Sequence, residues 1–344
     1  MNIAKRKHYA VILLCLVLAH TQAQHFKAYR NTVSNGYNFW ISTPEDYDST
    51  KRDYPLILFI HGNSLCGTDL NKVLRYGVLD AMEKGRNIKA LVLAPQNPGG
   101  AWQAQKLHNL ICWTREHYAF DTNRIYVIGM SLGGYGTLDF AGTFPEYVAA
   151  AMALCGGCTL KDYNKLRSVP LWIIHGTGDK AVSVTQSQKV VNQMKALGET
   201  PLLRFDKLSG ASHSHLARVF YVDETYQWLF AHSLSDRHVD TTIQITMSTL
   251  AAAYQNINRN ANHIVIESGT ASASDTCTAA HDSIPDTGTA GTAADKDITC
   301  HYVKKGDTLY AIARKYHTTI KHLCQLNGIS ENTILQIGQK IKIK

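Results

Sequence analysis

Five short apolar runs, each cut off by a glycine or proline turn, set the tightest limits on what this chain can fold into. Residues 56–60 lie between Pro55 and His61-Gly62, 90–94 end at Pro95, and 124–128 stop at Gly129. Residues 149–154 run into Cys155-Gly156-Gly157, and 171–174 follow Pro170 and stop at His175-Gly176. Such runs are too short for buried helices and too continuous for strands with one wet face, so they read as strands buried on both faces of a parallel sheet. Between them 132–141 and 185–197 read as helices. Alternation of this kind gives an α/β fold, a mostly parallel sheet with helices on both faces, over residues 25–232.

At 344 residues the chain has room for a second unit. Lys5, Arg6 and Lys7 precede an apolar run over 9–19, and Thr21-Gln22-Ala23 places small residues where a signal peptidase would cut. That run is shorter than the roughly 20 residues a bilayer span needs, so 1–23 are expected to be a signal peptide and the product to be secreted, periplasmic or extracellular. The hydrolytic machinery described below is assigned to 24–235. Residues 236–298 are an unassigned segment and linker: 268–297 are rich in Ser, Thr, Ala, Asp and Gly and cannot bury a core. A last module occupies 299–344.

The net charge of +8 is uneven. Three positive charges sit at the N-terminus, and residues 301–344 hold eight Lys or Arg against Asp307 and Glu331, which leaves the intervening chain near neutral. The basicity belongs to the last module and suits an anionic envelope polymer; nothing calls for nucleic acid. Beyond residue 23 the cysteines are Cys66, Cys112, Cys155, Cys158, Cys277, Cys300 and Cys324, an odd and thinly spread set unlike a disulfide framework.

Gly129-Met130-Ser131-Leu132-Gly133 fits the pattern G-x-S-x-G, with a strand directly before it and a helix directly after. That context describes a sharp turn that lifts the Ser131 hydroxyl above the sheet and aims a helix N-terminus at a developing oxyanion. Serine is a weak nucleophile without a positioned base, and the base needs an acid to orient it. Asp179 follows the strand 171–174 in His175-Gly176-Thr177-Gly178-Asp179 and is the candidate acid; His175 is expected to brace that turn. Two histidines, His213 and His215, compete for the base in the loop after a strand over 202–205, and the spacing from Gly210 favours His213. His213-Ser214-His215 has no accompanying ligand cluster, so no metal and no other cofactor are expected. The oxyanion donors should be the amide of Leu132 and that of Asn63 or Ser64, after His61-Gly62.

These stretches resemble the α/β-hydrolase fold, in particular the group that joins single-domain relatives of prolyl oligopeptidase with polyhydroxybutyrate-depolymerase-like and feruloyl or acetylxylan esterases. The resemblance rests on Tyr54 through Gly62, Ala94-Pro95-Gln96-Asn97 with Trp102, Asp121-Thr122-Asn123-Arg124-Ile125-Tyr126, the run from Gly129 to Gly136, Phe144-Pro145-Glu146, Cys155-Gly156-Gly157 and His175 through Asp179. It departs at Ser212, where the group usually has glycine, and at Leu216, where tryptophan is common. Only 47 residues separate Ser131 from Asp179, and 33 separate Asp179 from His213, so no cap domain fits between them. An open cleft for short acyl groups follows, with Gln96, Trp102 and Trp172 as candidate walls.

Residues 301–344 closely resemble a LysM repeat, a small βααβ domain. Tyr302 opens a strand, Leu309, Ile312, Ala313 and Tyr316 share a helical face, and Ile320, Leu323 and Leu326 form a second helix stopped by Asn327-Gly328. The resemblance implies that Gly306, Asp307, Thr308 and Leu309, with Ile329, Ser330, Leu335 and Ile337, form a groove for N-acetylglucosamine chains, peptidoglycan or a chitin-like polymer. The expectation is a secreted serine carboxylic ester hydrolase acting on short acyl esters of a polysaccharide. A serine peptidase and a non-catalytic wall-binding protein are the alternatives.

Overall fold

A computed structural model of the chain describes residues 24–255, 257, 264–269, 300–303, 309, 312, 313, 316, 318–329, 333, 335 and 339–343. The expected signal peptide lies outside them. They fall into two units, one ending at 269 and one beginning at 300.

Among the described residues the first unit is built on one nine-stranded sheet. Its strands are β1 (Gln24–Tyr29), β2 (Asn38–Thr43), β3 (Leu56–Ile60), β4 (Leu91–Gln96), β5 (Ile125–Met130), β6 (Ala150–Leu154), β7 (Leu171–Gly176), β8 (Leu203–Leu208) and β9 (Ile264–Gly269). They lie in the order β8-β7-β6-β5-β3-β4-β2-β1-β9. The block from β4 to β8 is parallel throughout, whereas β2 runs antiparallel to both β4 and β1. Every residue of β3 to β7 is buried, so both faces of that block are covered, as five unbroken apolar runs require.

The first unit's helices are α1 (Val78–Glu83), α2 (Ala104–His117), α3 (Leu132–Thr143), α4 (Thr185–Ala196), α5 (His213–Leu216), α6 (Asp223–Phe230) and α7 (Met247–Ala251). After β3 the chain adds β4 on one side and then returns to place β5 on the other, in register with Ile60 opposite Gly129. That reversal opens a crevice at the carboxyl ends of β3 and β5, where ligands of such sheets bind.

The unit does not stop at residue 235. Ile245, Leu250 and Ala253 are buried in the same core as Phe26, Trp172 and Trp228. Arg204 donates to the carbonyl of Ile243 at 2.7 Å, and the Trp228 indole donates to that of Asp240 at 2.9 Å. β9 then pairs in parallel with β1 from Gln24↔Ile264 to Tyr29↔Gly269. The segment left unassigned by sequence thus completes the first unit, and Ser268 and Gly269, read as linker, finish a strand; 270–298 lie outside the described residues.

The second unit pairs β10 (Cys300–Tyr302) with β11 (Lys340–Lys342) and carries α8 (Ile320–Asn327). Val303, Leu309, Ile312, Ala313, Leu323, Ile341 and Ile343 form its core. Gly328 takes φ +61° to end α8, and the Asn327 amide holds β11 through Lys342, accepting from its N–H at 2.8 Å and donating to its carbonyl at 2.9 Å. No helix among the described residues is long and apolar enough to cross a membrane.

Candidate active site

β5 passes into α3 through a single residue. Ser131 takes φ 59° and ψ −122°, a conformation that L-residues rarely adopt, and its amide donates to the Leu154 carbonyl at 2.9 Å. The neighbouring glycines make the turn possible. A β-carbon on Gly133 would stand 1.9 Å from the Ile60 oxygen, and one on Gly129 would stand 2.4 Å from the Gly133 oxygen. The elbow therefore presses against β3 with no room for a side chain. Leu132, the first residue of α3, has an amide with no acceptor inside its own helix.

Asp179 leaves β7 at its carboxyl end, and its carboxylate is fully enclosed. One oxygen accepts from the amides of Ala181 and Val182, each at 2.9 Å, and the other from His213 Nδ1 at 2.7 Å. Burial works against ionisation, but the bonds from His213, Val182 and Ala181 outweigh it and hold the carboxyl below its ordinary range. His175 braces this turn, as its position implied: Nε2 lies 2.9 Å from the Val182 carbonyl and Nδ1 2.8 Å from Ser187 Oγ.

Geometry separates the two histidines. His215 Nδ1 accepts the Ser212 amide at 3.0 Å and caps α5, whereas His213 meets Asp179 and shares the Ser131 cleft. The cleft holds about 290 Å³. Gly62, Asn63 and Ser64 border it opposite the elbow. Asn63 begins a short 3-10 turn (Asn63–Leu65), which leaves its amide and that of Ser64 without acceptors in that turn. His61 Nε2 accepts the Asn97 amide at 3.0 Å, so Nδ1 donates to the Gly62 carbonyl at 2.7 Å. Burial lowers that imidazole to about 4, which keeps it neutral.

Three residues expected on the cleft wall do not line it. Gln96 donates inward to the carbonyls of Leu65 and Asp69, at 3.2 and 2.6 Å. The Trp102 indole donates to the His61 carbonyl at 3.1 Å, and that of Trp172 to Asp206 at 2.9 Å. The polar groups of Gln96 and Trp102 are thus engaged in holding loops, whereas Trp172, near the amino end of β7, bonds across to Asp206 within β8. Tyr76, Met130 and Ala217 line the cleft instead. Tyr76 and Ala217 arrive from segments whose sequence carries no motif.

Cys155 was also hidden from sequence reasoning as a site residue. It is fully buried at φ +38°, and Cys155, Asp179 and His213 each bring one metal-ligating atom within 4.8 Å of the others. The donor types would suit zinc. However, the carboxylate and imidazole already bind each other, while burial and the adjacent Asp179 push the thiol up and keep it protonated. A metal would have to displace both protons, so the cluster fits a proton-transfer pair better than an ion. Cys66, Cys112 and Cys158 are also free thiols.

In the second unit Leu309, expected in the groove, is a core residue with 6% of its surface exposed. Ile329 and Leu335 are half-buried against that core. Gly306, Asp307, Thr308, Ser330 and Ile337 lie outside the described residues.

Comparison with known proteins agrees with both units. Residues 98–226 match the dienelactone hydrolase family and 301–344 match the LysM domain. Acetylxylan esterase A of Aspergillus ficuum is 33% identical over 22% of this chain and 31% of its own length. The uncharacterized lipoprotein YgeR of Escherichia coli K12 is 51% identical over 12% of this chain and 16% of its own length. The chain therefore spans less than a third of either curated relative. A thermostable esterase of known structure shares 26% identity and a TM-score of 0.48, over 60% of this chain and 63% of that one.

Proposed function

We propose that this chain, which joins a domain of dienelactone-hydrolase type to a C-terminal LysM domain, is a secreted serine carboxylic ester hydrolase held on an N-acetylglucosamine polymer. The observation that carries the reading is the convergence of Ser131, in its strained turn, with His213 and its Asp179-bound ring on one cleft.

In this reading the Ser131 hydroxyl attacks an ester carbonyl while His213 takes its proton. Asp179 fixes the ring and stabilises the imidazolium. The amides of Leu132 and of Asn63 or Ser64 receive the oxyanion. His213 returns the proton to the leaving alcohol, and water repeats the sequence on the acyl-enzyme. A cleft of about 290 Å³ favours short acyl groups. The acetylxylan esterase relative points to acetyl esters on polysaccharide, and the LysM domain to peptidoglycan as the surface on which the enzyme works. Tethering raises local enzyme concentration without adding catalytic contacts.

Residues 24–344 should hydrolyse 4-nitrophenyl acetate, and Ser131→Ala should lose on the order of a thousandfold in kcat/KM. Peptide cleavage without ester turnover would put a serine peptidase in place of the esterase. A folded chain that neither turns over esters nor is labelled by a fluorophosphonate would be a wall-binding protein alone.

A further inference from the structure

The oxyanion loop is held by a group that no motif announces. The Gly62 N–H donates to the Tyr76 hydroxyl at 3.0 Å, and Tyr76 borders the same cleft as Ser131 and Ser64. Tyr76 is presented rigidly: the next residue, Gly77, takes φ +102°, its amide donates to the Tyr221 hydroxyl at 3.3 Å, and the Tyr76 ring lies 6.5 Å from that of Phe220.

The Gly62 amide donates to the phenol oxygen and the Ser64 hydroxyl bonds it as well; with Ser64 as donor, the phenol's own hydrogen remains for the cleft. Burial raises the hydroxyl above its ordinary value, and it stays protonated at neutral pH. The position that a β-carbon on Gly62 would take is unfilled. That point lies 2.7 Å from the Tyr76 oxygen, 3.3 Å from the Met130 carbonyl oxygen and 3.5 Å from Ser131 Cβ. The hydroxyl and the nucleophile are therefore no further apart than the first and last of those distances laid end to end. That is the span in which an oxygen bonded to the carbon attacked by Ser131 meets a donor about 3 Å away.

We propose that Tyr76 is a catalytic residue of this cleft, whose hydroxyl, held by the Gly62 amide, donates a hydrogen bond to the oxyanion formed when Ser131 attacks an ester. It adds a side-chain donor to the two backbone donors, and glycine at position 62 keeps the space between hydroxyl and nucleophile open. The proposal rests on the ester-hydrolase reading above.

The test is steady-state hydrolysis of 4-nitrophenyl acetate by wild type, Ser131→Ala and Tyr76→Phe. Tyr76→Phe should lose on the order of 10²-fold in kcat, with KM changed by less than about threefold. Replacing Tyr76 by 3-fluorotyrosine, a more acidic phenol, keeps the ring and the acceptor for Gly62. A donor must be protonated, so the alkaline limb of the kcat profile should move to lower pH; a mere brace for Gly62 would leave it in place. Wild-type activity in a folded Tyr76→Phe, a loss confined to KM, or an unmoved alkaline limb would each overturn the role of Tyr76 while leaving the Ser131 reading intact. An inactive wild type overturns both.

Discussion

Ser131 carries a backbone conformation that costs a side-chain-bearing residue about 1–3 kcal/mol. Glycine adopts it freely. Ser131→Gly should therefore abolish ester turnover yet raise unfolding stability by about 1 kcal/mol, read as a higher Tm; a lower Tm would show that the turn stores no strain. The two histidines should part company just as clearly. His213→Ala should lose at least about a thousandfold in kcat, whereas His215→Ala should keep activity within about tenfold and lose about 1 kcal/mol of stability as the α5 cap goes. Ser131, Asp179 and His213, the residues of the proposed triad, could be picked out in the sequence because each stands just past the end of a recognisable strand, in the order the proposed chemistry needs. Tyr76 could not, since it reaches the site through packing between distant segments, and Cys155, although it stands just past β6, carries no motif that marks it as a site residue. Gln96 and Trp102 were misread for a related reason: sequence placed them beside the site but could not tell that backbone carbonyls would claim their polar atoms.

The β5–α3 junction works as one element because the Ile60 oxygen, at the end of β3, fills the space a side chain on Gly133 would need. Gly133→Ala should destabilise the unit by at least about 2 kcal/mol and reduce kcat, because the backbone that aims Ser131 must shift. Denaturant melts check the first part; a change below about 0.5 kcal/mol would mean that the contact yields freely. At this scale the parallel block was legible through its unbroken apolar runs. β1 and β2 were not, because Gln24–Tyr29 mixes charged, amide and apolar residues and Asn38–Thr43 sets three apolar residues among Asn, Ser and Thr. β9 carries an apolar triplet, Ile264-Val265-Ile266, but its partner β1 lies at the opposite end of the unit and no local pattern encodes that pairing.

Across the molecule, acid should act on buried imidazoles. Burial lowers His61 and His108 to about 4 and lowers His175 and His232 as well. In the unfolded chain each takes up its proton near pH 6.5. The unfolded state thus binds more protons between about pH 6.5 and 4, so this stability is complete above about 6.5 and drains away as pH falls. His61 and His108 each account for about 3 kcal/mol by pH 4. Tm should drop steeply over that range, and His108→Phe should flatten the drop; a level profile in the wild type would contradict the burial of these rings. A second whole-molecule prediction concerns the LysM domain. Ending the chain at 299 should leave 4-nitrophenyl acetate turnover unchanged and abolish co-sedimentation with purified peptidoglycan. Retained co-sedimentation would place wall binding on the hydrolase unit.

The pairing of β9 with β1 also decides where this chain can be cut for grafting onto another scaffold. A fragment ending at 235 would keep Ser131, Asp179 and His213 but expose the outer rim of β1, a row of unsatisfied amides and carbonyls beside a core stripped of Ile245, Leu250 and Ala253. Such a fragment would carry a ready template for sticking to its own copies, so a transplantable first unit must extend through residue 269.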